Sequence, residues 1–312
     1  MNAEAEILAQ LEAIRKSGLY RTMSTVSSPQ GPEFVLDGRS VVNFSGNDSL
    51  GLANHPRVRA AAHRAIDEYG AGSGASRLTS GNLAVTRDLE DALAQFLGSE
   101  RTLLFSSGFQ ANSGVIPALA GPRTLILSDQ RNHASLIDGI RLSRARRIIY
   151  PHNDVQALGD LLDDVPRTTP VMVVTESLFS MDGDRAPLNR IAELKRERPF
   201  LLYVDEAHAM GVLGPGGRGL AADCGLPADV LIGTLGKAFG ASGAFIAASS
   251  EVIDLLVNRA RSFIYSTAPM PAAAGAALAA LELIREGDGL RTQLKRNSDS
   301  LRERLAPILG AP

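Results

Sequence analysis

Short apolar runs of strand length alternate with helix-length segments through most of this 312-residue chain. The runs predict strands at Thr102–Phe105, Thr124–Leu127, Arg147–Tyr150, Val171–Thr175, Leu201–Val204, Val230–Gly233 and Ala244–Ala247. Between and after them, helices are expected at about Phe109–Leu119, Ala134–Leu142, Val155–Leu162, Leu188–Arg196, Met270–Ile284 and Gly289–Leu305. Strands and helices in alternation imply an α/β fold, a large and mainly parallel sheet covered by helices.

Ahead of the alternation, Met1–Ser17 reads as an amphipathic helix with Ile7, Leu8, Leu11 and Ile14 on one face. Val35–Phe44 reads as a hairpin turning at Asp37-Gly38. A helix starts at Pro56 and stops at Gly70, and a Gly/Ser-rich loop with Arg77 fills Ala71–Asn82. The next helix points Leu89, Leu93, Phe96 and Leu97 inward and ends at Gly98. The expected organisation is an N-terminal segment, 1–45, a large domain, 46–285, and the start of a further C-terminal domain, 286–312.

Apolar residues make up 45% of the chain, enough for a sizeable core, and the net charge of −2 is spread without a basic stripe. Nucleic acid is therefore not an expected partner. Cys224 is the single cysteine, so neither an internal disulfide nor a cysteine metal cluster can form. No apolar run reaches spanning length and no secretory leader is apparent, which predicts a cytoplasmic protein without membrane contact.

Chemistry is concentrated after the predicted strands. Lys237 follows Val230–Gly233 among glycines that permit close approach to the backbone. A lysine amine forms Schiff bases with carbonyls, pyridoxal phosphate included. On its own, such a lysine is as well explained by a solvated turn. Asp205 closes the Leu201–Val204 run, and His208 stands three residues on. An Asp at a strand end suits the pyridinium proton of that cofactor, and His208 its ring hydroxyl.

Ser106–Asn112 follows a strand and opens a helix, the arrangement that binds phosphate on free amides or that simply caps a helix. His133 precedes a helix and is placed either to stack on a ring or to face solvent. Ser180, beyond Val171–Thr175 with Glu176 and Asp182, is either a donor to the ring hydroxyl or a turn residue. His55, His63 and His152 show no spacing signal and are expected at the surface or at caps. No set of His, Asp and Glu has metal-ligand spacing. The order phosphate site, stacking His, strand-end Asp, strand-end Lys would gather at the carboxyl edge of one sheet.

Longer strings sharpen this: Asn47-Asp48-x-Leu50-Gly51-Leu52, Gly72-Ser73-Gly74-Ala75-Ser76-Arg77-Leu78, Ser107-Gly108-Phe109-x-Ala111-Asn112 and Asn132-His133-Ala134-Ser135. They continue with Glu176-Ser177-Leu178-Phe179-Ser180-Met181-Asp182-Gly183-Asp184, Asp205-Glu206-Ala207-His208 and Thr234-Leu235-Gly236-Lys237. With these, the chain resembles the α-oxoamine synthases over about residues 20–285. These are pyridoxal-phosphate enzymes that join an amino acid to an acyl-CoA and release CO2.

The resemblance implies the aspartate-aminotransferase-like transferase fold and a homodimer with shared active sites. It implies Lys237 as the Schiff-base lysine, Asp205 at the pyridinium nitrogen, His133 stacked on the ring, and His208 and Ser180 at the ring hydroxyl. The amides of Gly108 and Phe109, with Thr234, would hold the phosphate, and Thr267 would reach the phosphate in the neighbouring subunit. Arg21, Asn47 and Ser76 would lie near the substrates. Two departures stand out. Ser49 occupies a position where the family usually has Tyr, and family members continue into a C-terminal domain that supplies an arginine for the amino-acid carboxylate. Without that domain, apolar surface on the Met270–Ile284 helix is expected to be exposed.

Overall fold

The computed structural model describes residues 2–224 and 228–309. The last residues of the expected C-terminal segment, 310–312, lie outside the described residues, as does Met1. The chain divides into two compact units, 1–45 and 46–312.

In the first unit, α1 (Ala3–Lys16) is capped by Asn2, and Ile7, Leu8 and Ile14 on it are exposed. Strands β1 (Glu33–Leu36) and β2 (Arg39–Val42) pair antiparallel. Asp37 and Gly38 make their turn at φ 47° and 79°. Two successive left-handed residues form the tight hairpin turn whose twist matches the strands, which is why Asp-Gly marks it.

The second unit opens with α2 (Pro56–Tyr69) and α3 (Ala84–Leu97), which end on Gly70 and Gly98. It continues through β3 (Arg101–Phe105), α4 (Gly108–Leu119), β4 (Leu125–Asp129), α5 (Ala134–Ser143), β5 (Arg146–Tyr150) and α6 (Val155–Asp163). Then come β6 (Val171–Glu176), α7 (Leu188–Glu197), β7 (Leu201–Asp205), β8 (Val230–Thr234) and β9 (Ala244–Ala248). The helices α8 (Ser250–Arg259), α9 (Arg261–Ile264), α10 (Pro271–Arg285) and α11 (Asp288–Leu309) complete it. Each strand expected from the apolar runs is present. Helices α8 and α9 were not expected, although Ser249 accepting from the Val252 amide is a regular N-cap.

Among the described residues the strands of this unit form one seven-stranded sheet, ordered β3-β9-β8-β7-β6-β4-β5. Only β9 runs against its neighbours, β3 and β8. The segment 235–243 joining β8 to β9 is too short for a crossover, so the two must pair antiparallel.

Alternate side chains of each strand go to opposite faces. On one face, Ile126, Met172, Val174, Tyr203, Val230 and Ile232 are buried with Ala111, Val115, Leu136 and Ile140 of α4 and α5. On the other, Leu125, Val173, Leu202 and Val204 are buried with Leu158, Leu162 and Ile191 of α6 and α7. Helix α10 packs on α2 and α3 and buries Ala274, Ala277, Ala280, Leu281 and Ile284. This corrects the expectation of an exposed apolar helix: small alanines let α10 sit close to α2, where an added Cβ on Gly275 would lie 2.8 Å from the Ala65 Cβ. No helix among the described residues is long and apolar enough to cross a membrane.

Candidate active site

The parallel strands deliver polar side chains to one edge. Asp129, Glu176, Asp205 and Thr234 are the last residues of β4, β6, β7 and β8. Glu176 and Asp205 are register partners, so two carboxylates stand side by side in the middle of the sheet. A groove of about 900 Å³ opens at the opposite, amino-terminal end, lined by Leu201, Leu231 and Ala247 among others, and holds none of these groups.

Lys237 lies on the 235–243 connection, which is folded tightly by hydrogen bonds from Leu235 N to Gly243 O and from Gly240 N to Lys237 O, at 2.9 and 2.8 Å. Its Nζ lies 2.7 Å from His208 Nε2. Burial lowers the amine's pKa, while the charges of Asp205 and Glu176 pull it back up. Burial, then Lys237 and His133, push His208 down to about 4. His208 is therefore neutral near pH 7 and accepts from the lysine.

Asp205 is buried, and both of its oxygens are engaged. Oδ1 accepts from the Ala207 amide at 2.9 Å and Oδ2 from Asn112 Nδ2 at 3.0 Å. Glu176 accepts from the His133 amide at 2.7 Å, and burial, aided by Asp205, raises its pKa to about 8. His133 is the N-cap of α5. Its Nδ1 accepts from the Ser135 amide at 3.2 Å and lies 2.8 Å from Ser135 Oγ. An amide can only donate, so Nδ1 carries a lone pair and the ring proton sits on Nε2. The ring itself is exposed.

Helix α4 begins at this edge, capped by Ser107 Oγ, which accepts from Gln110 N at 3.1 Å. The amides of Gly108 and Phe109 have no acceptor among the described residues, and an added Cβ on Gly108 would meet nothing within 4 Å. Thr234 Oγ1 donates to Gly243 O at 3.2 Å and accepts from Gly236 N at 3.3 Å, beside the lysine loop.

The remaining sequence-derived candidates lie further out. Ser180 is exposed in the turn beyond β6, where Arg131 pairs with Asp182 at 2.6 Å. Ser76 and Thr267 form an isolated antiparallel bridge, and Ser266 Oγ accepts from Gln110 Nε2 at 2.7 Å, tying that segment to the start of α4. Asn47 and Ser49 are exposed, with the Ser49 amide donating to Asn47 O at 2.8 Å. Arg21 is exposed in the first unit.

Sequence reasoning left several contributors without a role. Asp48 caps the turn after it, accepting from Leu52 N and Ala53 N at 2.8 and 3.1 Å. Gly240 of the lysine loop backs onto that turn so closely that an added Cβ would lie 2.2 Å from Ala53 N. The Asn-Asp-x-Leu-Gly-Leu string is thus a support for the lysine loop. Asn112 and Tyr203 bind the Asp205 network from inside the core.

His152 is not a free surface residue, as its lack of spacing signal had suggested. It lies 2.8 Å from Asp129 and 2.7 Å from Asp184, edge-on to Phe179. Burial opposes its protonation, but the two aspartates outweigh burial and raise its pKa. His55 does cap a helix, accepting from Arg57 N, and His63 is at the surface.

The family model for aminotransferase class I and II matches residues 39–311. An 8-amino-7-oxononanoate synthase from Geobacter sulfurreducens is 50% identical over 303 residues, covering 96% of this chain and 78% of the relative. Among solved structures, a serine palmitoyltransferase from Sphingomonas wittichii superposes with TM-score 0.91 at 30% identity, covering 97% of this chain and 77% of that one. An 8-amino-7-oxononanoate synthase from Francisella tularensis superposes with TM-score 0.75 at 32% identity, covering 85% and 75%.

Proposed function

The chain belongs to the α-oxoamine synthases, within the class I and II aminotransferase family, and we propose that it condenses L-alanine with pimeloyl-CoA to give 8-amino-7-oxononanoate, CoA and CO2, a step of biotin biosynthesis. The observation that carries this reading is the half-buried amine of Lys237, of lowered pKa, on the same sheet edge as the buried Asp205 carboxylate. Its cofactor is pyridoxal phosphate, and the residues present fit it. They offer a half-buried amine of lowered pKa, a buried strand-end carboxylate, an exposed imidazole face and two amides at a helix start with no acceptor among the described residues.

In this reading Lys237 Nζ holds the cofactor covalently, and the Gly108 and Phe109 amides with Thr234 hold its phosphate, where the helix N-terminus favours negative charge. His133 would stack on the ring, Asp205 would pair the ring nitrogen, and His208 and Ser180 would serve the ring hydroxyl. When bound, pyridoxal phosphate supplies the electron sink for charge developing at the amino acid's α-carbon. The Lys237 amine would take the α-proton of the amino acid and later return one. Its lowered pKa suits both tasks, because a base works best when its pKa lies near the operating pH. Neutral His208 accepts a hydrogen bond from Lys237 and holds the amine over the cluster. Asn47 and Ser76 contact the substrates.

The assembly is a cytoplasmic homodimer in which Thr267 of each chain reaches the neighbour's phosphate. Large apolar side chains beside the site, Phe109, Tyr265 and Met270, are 50%, 73% and 55% exposed, which is surface suited to such an interface. Borohydride reduction of the loaded protein, followed by peptide mapping, tests the cofactor assignment. The phosphopyridoxyl group is expected on Lys237 and to be lost in Lys237→Ala; finding it on another lysine would overturn the reading.

A further inference from the structure

Tyr203 and Asp205 are two residues apart on β7 and so project to the same face of the sheet, the face covered by α4 and α5. Asn112 of α4 meets both. The Tyr203 hydroxyl donates to Asn112 Oδ1 at 2.6 Å, and Asn112 Nδ2 donates to Asp205 Oδ2 at 3.0 Å and to Ser135 Oγ at 2.9 Å. Ser135 Oγ in turn lies 2.8 Å from His133 Nδ1, an acceptor already facing the Ser135 amide, so the serine proton points there as well. Asn112 is 1% exposed and Tyr203 fully buried, so water does not compete for these bonds.

The arrangement leaves one orientation for the amide. A carboxylate has only acceptor atoms, so the NH2 group must face Asp205 and the oxygen must face the tyrosine. Burial raises the Tyr203 pKa well above its ordinary value, so the phenol keeps its proton and remains a donor. The position of Asn112 is also enforced from outside. Gly139 of α5 lies against its backbone oxygen, where an added Cβ would come within 2.5 Å.

We propose that Asn112 is the positioning residue of this site, an amide held by Tyr203 and Ser135 that fixes the Asp205 carboxylate in one orientation and ties it to His133. This rests on the pyridoxal phosphate reading, in which Asp205 serves the cofactor's ring nitrogen. Removing the amide frees one carboxylate oxygen to turn and weakens the pairing that keeps the ring nitrogen protonated, while Lys237, the phosphate site and the substrate contacts stay intact. Amino-acid KM should then change little while kcat falls about tenfold, the scale of one hydrogen bond.

The test loads the protein with pyridoxal phosphate labelled with 15N at the ring nitrogen and records its chemical shift. Wild type should show a protonated ring and Asp205→Ala a neutral one. Asn112→Ala should move toward the neutral value, and Tyr203→Phe, which loses only a hydroxyl, should move the same way by less. Thermal melts identify folded variants, and Tyr203→Phe carries the test if Asn112→Ala does not fold. Folded, loaded Asn112→Ala and Tyr203→Phe with the wild-type ring shift would overturn this inference and leave the cofactor reading standing. Equal shifts in wild type and Asp205→Ala would overturn the role of Asp205 itself, and this inference with it.

Discussion

Lys237 and His208 share one hydrogen bond, 2.7 Å between Nζ and Nε2, although they are 29 residues apart in the sequence. Both groups are pushed toward their neutral forms by burial, and on the lysine Asp205, with Glu176, acts against that push.

The sign of the Lys237 shift follows from burial, which outweighs those two neighbours. Burial lowers its pKa, so the amine is free to react at a lower pH than a surface lysine. Replacing Asp205 by Asn and Glu176 by Gln removes the two charges that raise it, and its midpoint should fall further. The rate of pyridoxal phosphate adduct formation, measured against pH, reports that midpoint. A midpoint that rises in the double variant would contradict the arrangement.

Glu176 makes stability pH-dependent. Its folded-state pKa is about 8 against an ordinary 4.5, so its contribution is fully present below 4.5 and is lost as pH rises through 8. His208 acts in the opposite sense, its folded pKa of about 4 costing stability as pH falls from 6.5. The two oppose each other between pH 4.5 and 6.5; above that His208 drops out, and Glu176 and His152, whose pKa is also raised, both lose stability as pH rises. Glu206, raised by burial as well, works in the same direction as Glu176. The cofactor-free protein should therefore lose stability from pH 6.5 to 8, and Glu176→Gln should flatten that slope in urea titrations. An unchanged slope would exclude Glu176 as its source.

Arg77 forms a forked pair with Glu90, at 2.9 and 2.8 Å, with side chains 7% and 12% exposed. Glu90 Oε1 also accepts from Leu104 N, so the pair locks the Gly/Ser-rich loop to β3. Arg77→Ala leaves a buried carboxylate without its partner, a loss of about 3–5 kcal/mol. Arg77→Lys keeps the charge but not the fork and should lose less. Denaturant midpoints read both, and an alanine variant as stable as wild type would contradict the buried pairing.

Gly240 sits at φ +60°, with its α-carbon facing Ala53 N. An alanine there meets backbone, which cannot rotate away, and overpacking of that kind costs about 1–3 kcal/mol beyond the strain of a left-handed residue. Gly240→Ala should displace the lysine loop and cut borohydride-trapped adduct well below wild type, with the protein still folded by circular dichroism. Full adduct yield would show that the contact with the Asp48 turn is dispensable.

The sheet was legible because buried parallel strands are continuous apolar runs, and Lys237, Asp205 and His133 were legible because each follows such a run. The reversal of β9 was encoded too, in the shortness of 235–243. What the sequence did not disclose is which polar groups meet across the fold. Asn112 and Asp205 are 93 residues apart, and His152 reaches Asp129 and Asp184 over 23 and 32. Nothing in the local spacing of Asn112 marks it, although Tyr203 and Asp205 at strand period two announce a polar pair on one face. The spacing around His152 carries no signal because its partners arrive from separate places, Asp129 from the end of β4 and Asp184 from the turn beyond β6.

The measurement that bears most directly on the proposed function is CoA release, with CO2 followed in parallel. It pairs L-alanine, glycine and L-serine with pimeloyl-CoA and acetyl-CoA over the pyridoxal-phosphate-loaded protein. The account predicts fastest turnover with L-alanine and pimeloyl-CoA, CoA and CO2 appearing in equal amounts, and loss of both in Lys237→Ala. Preferred turnover of glycine with acetyl-CoA would make it a glycine C-acetyltransferase, and no CoA release from protein carrying the Lys237 adduct would contradict the condensation altogether.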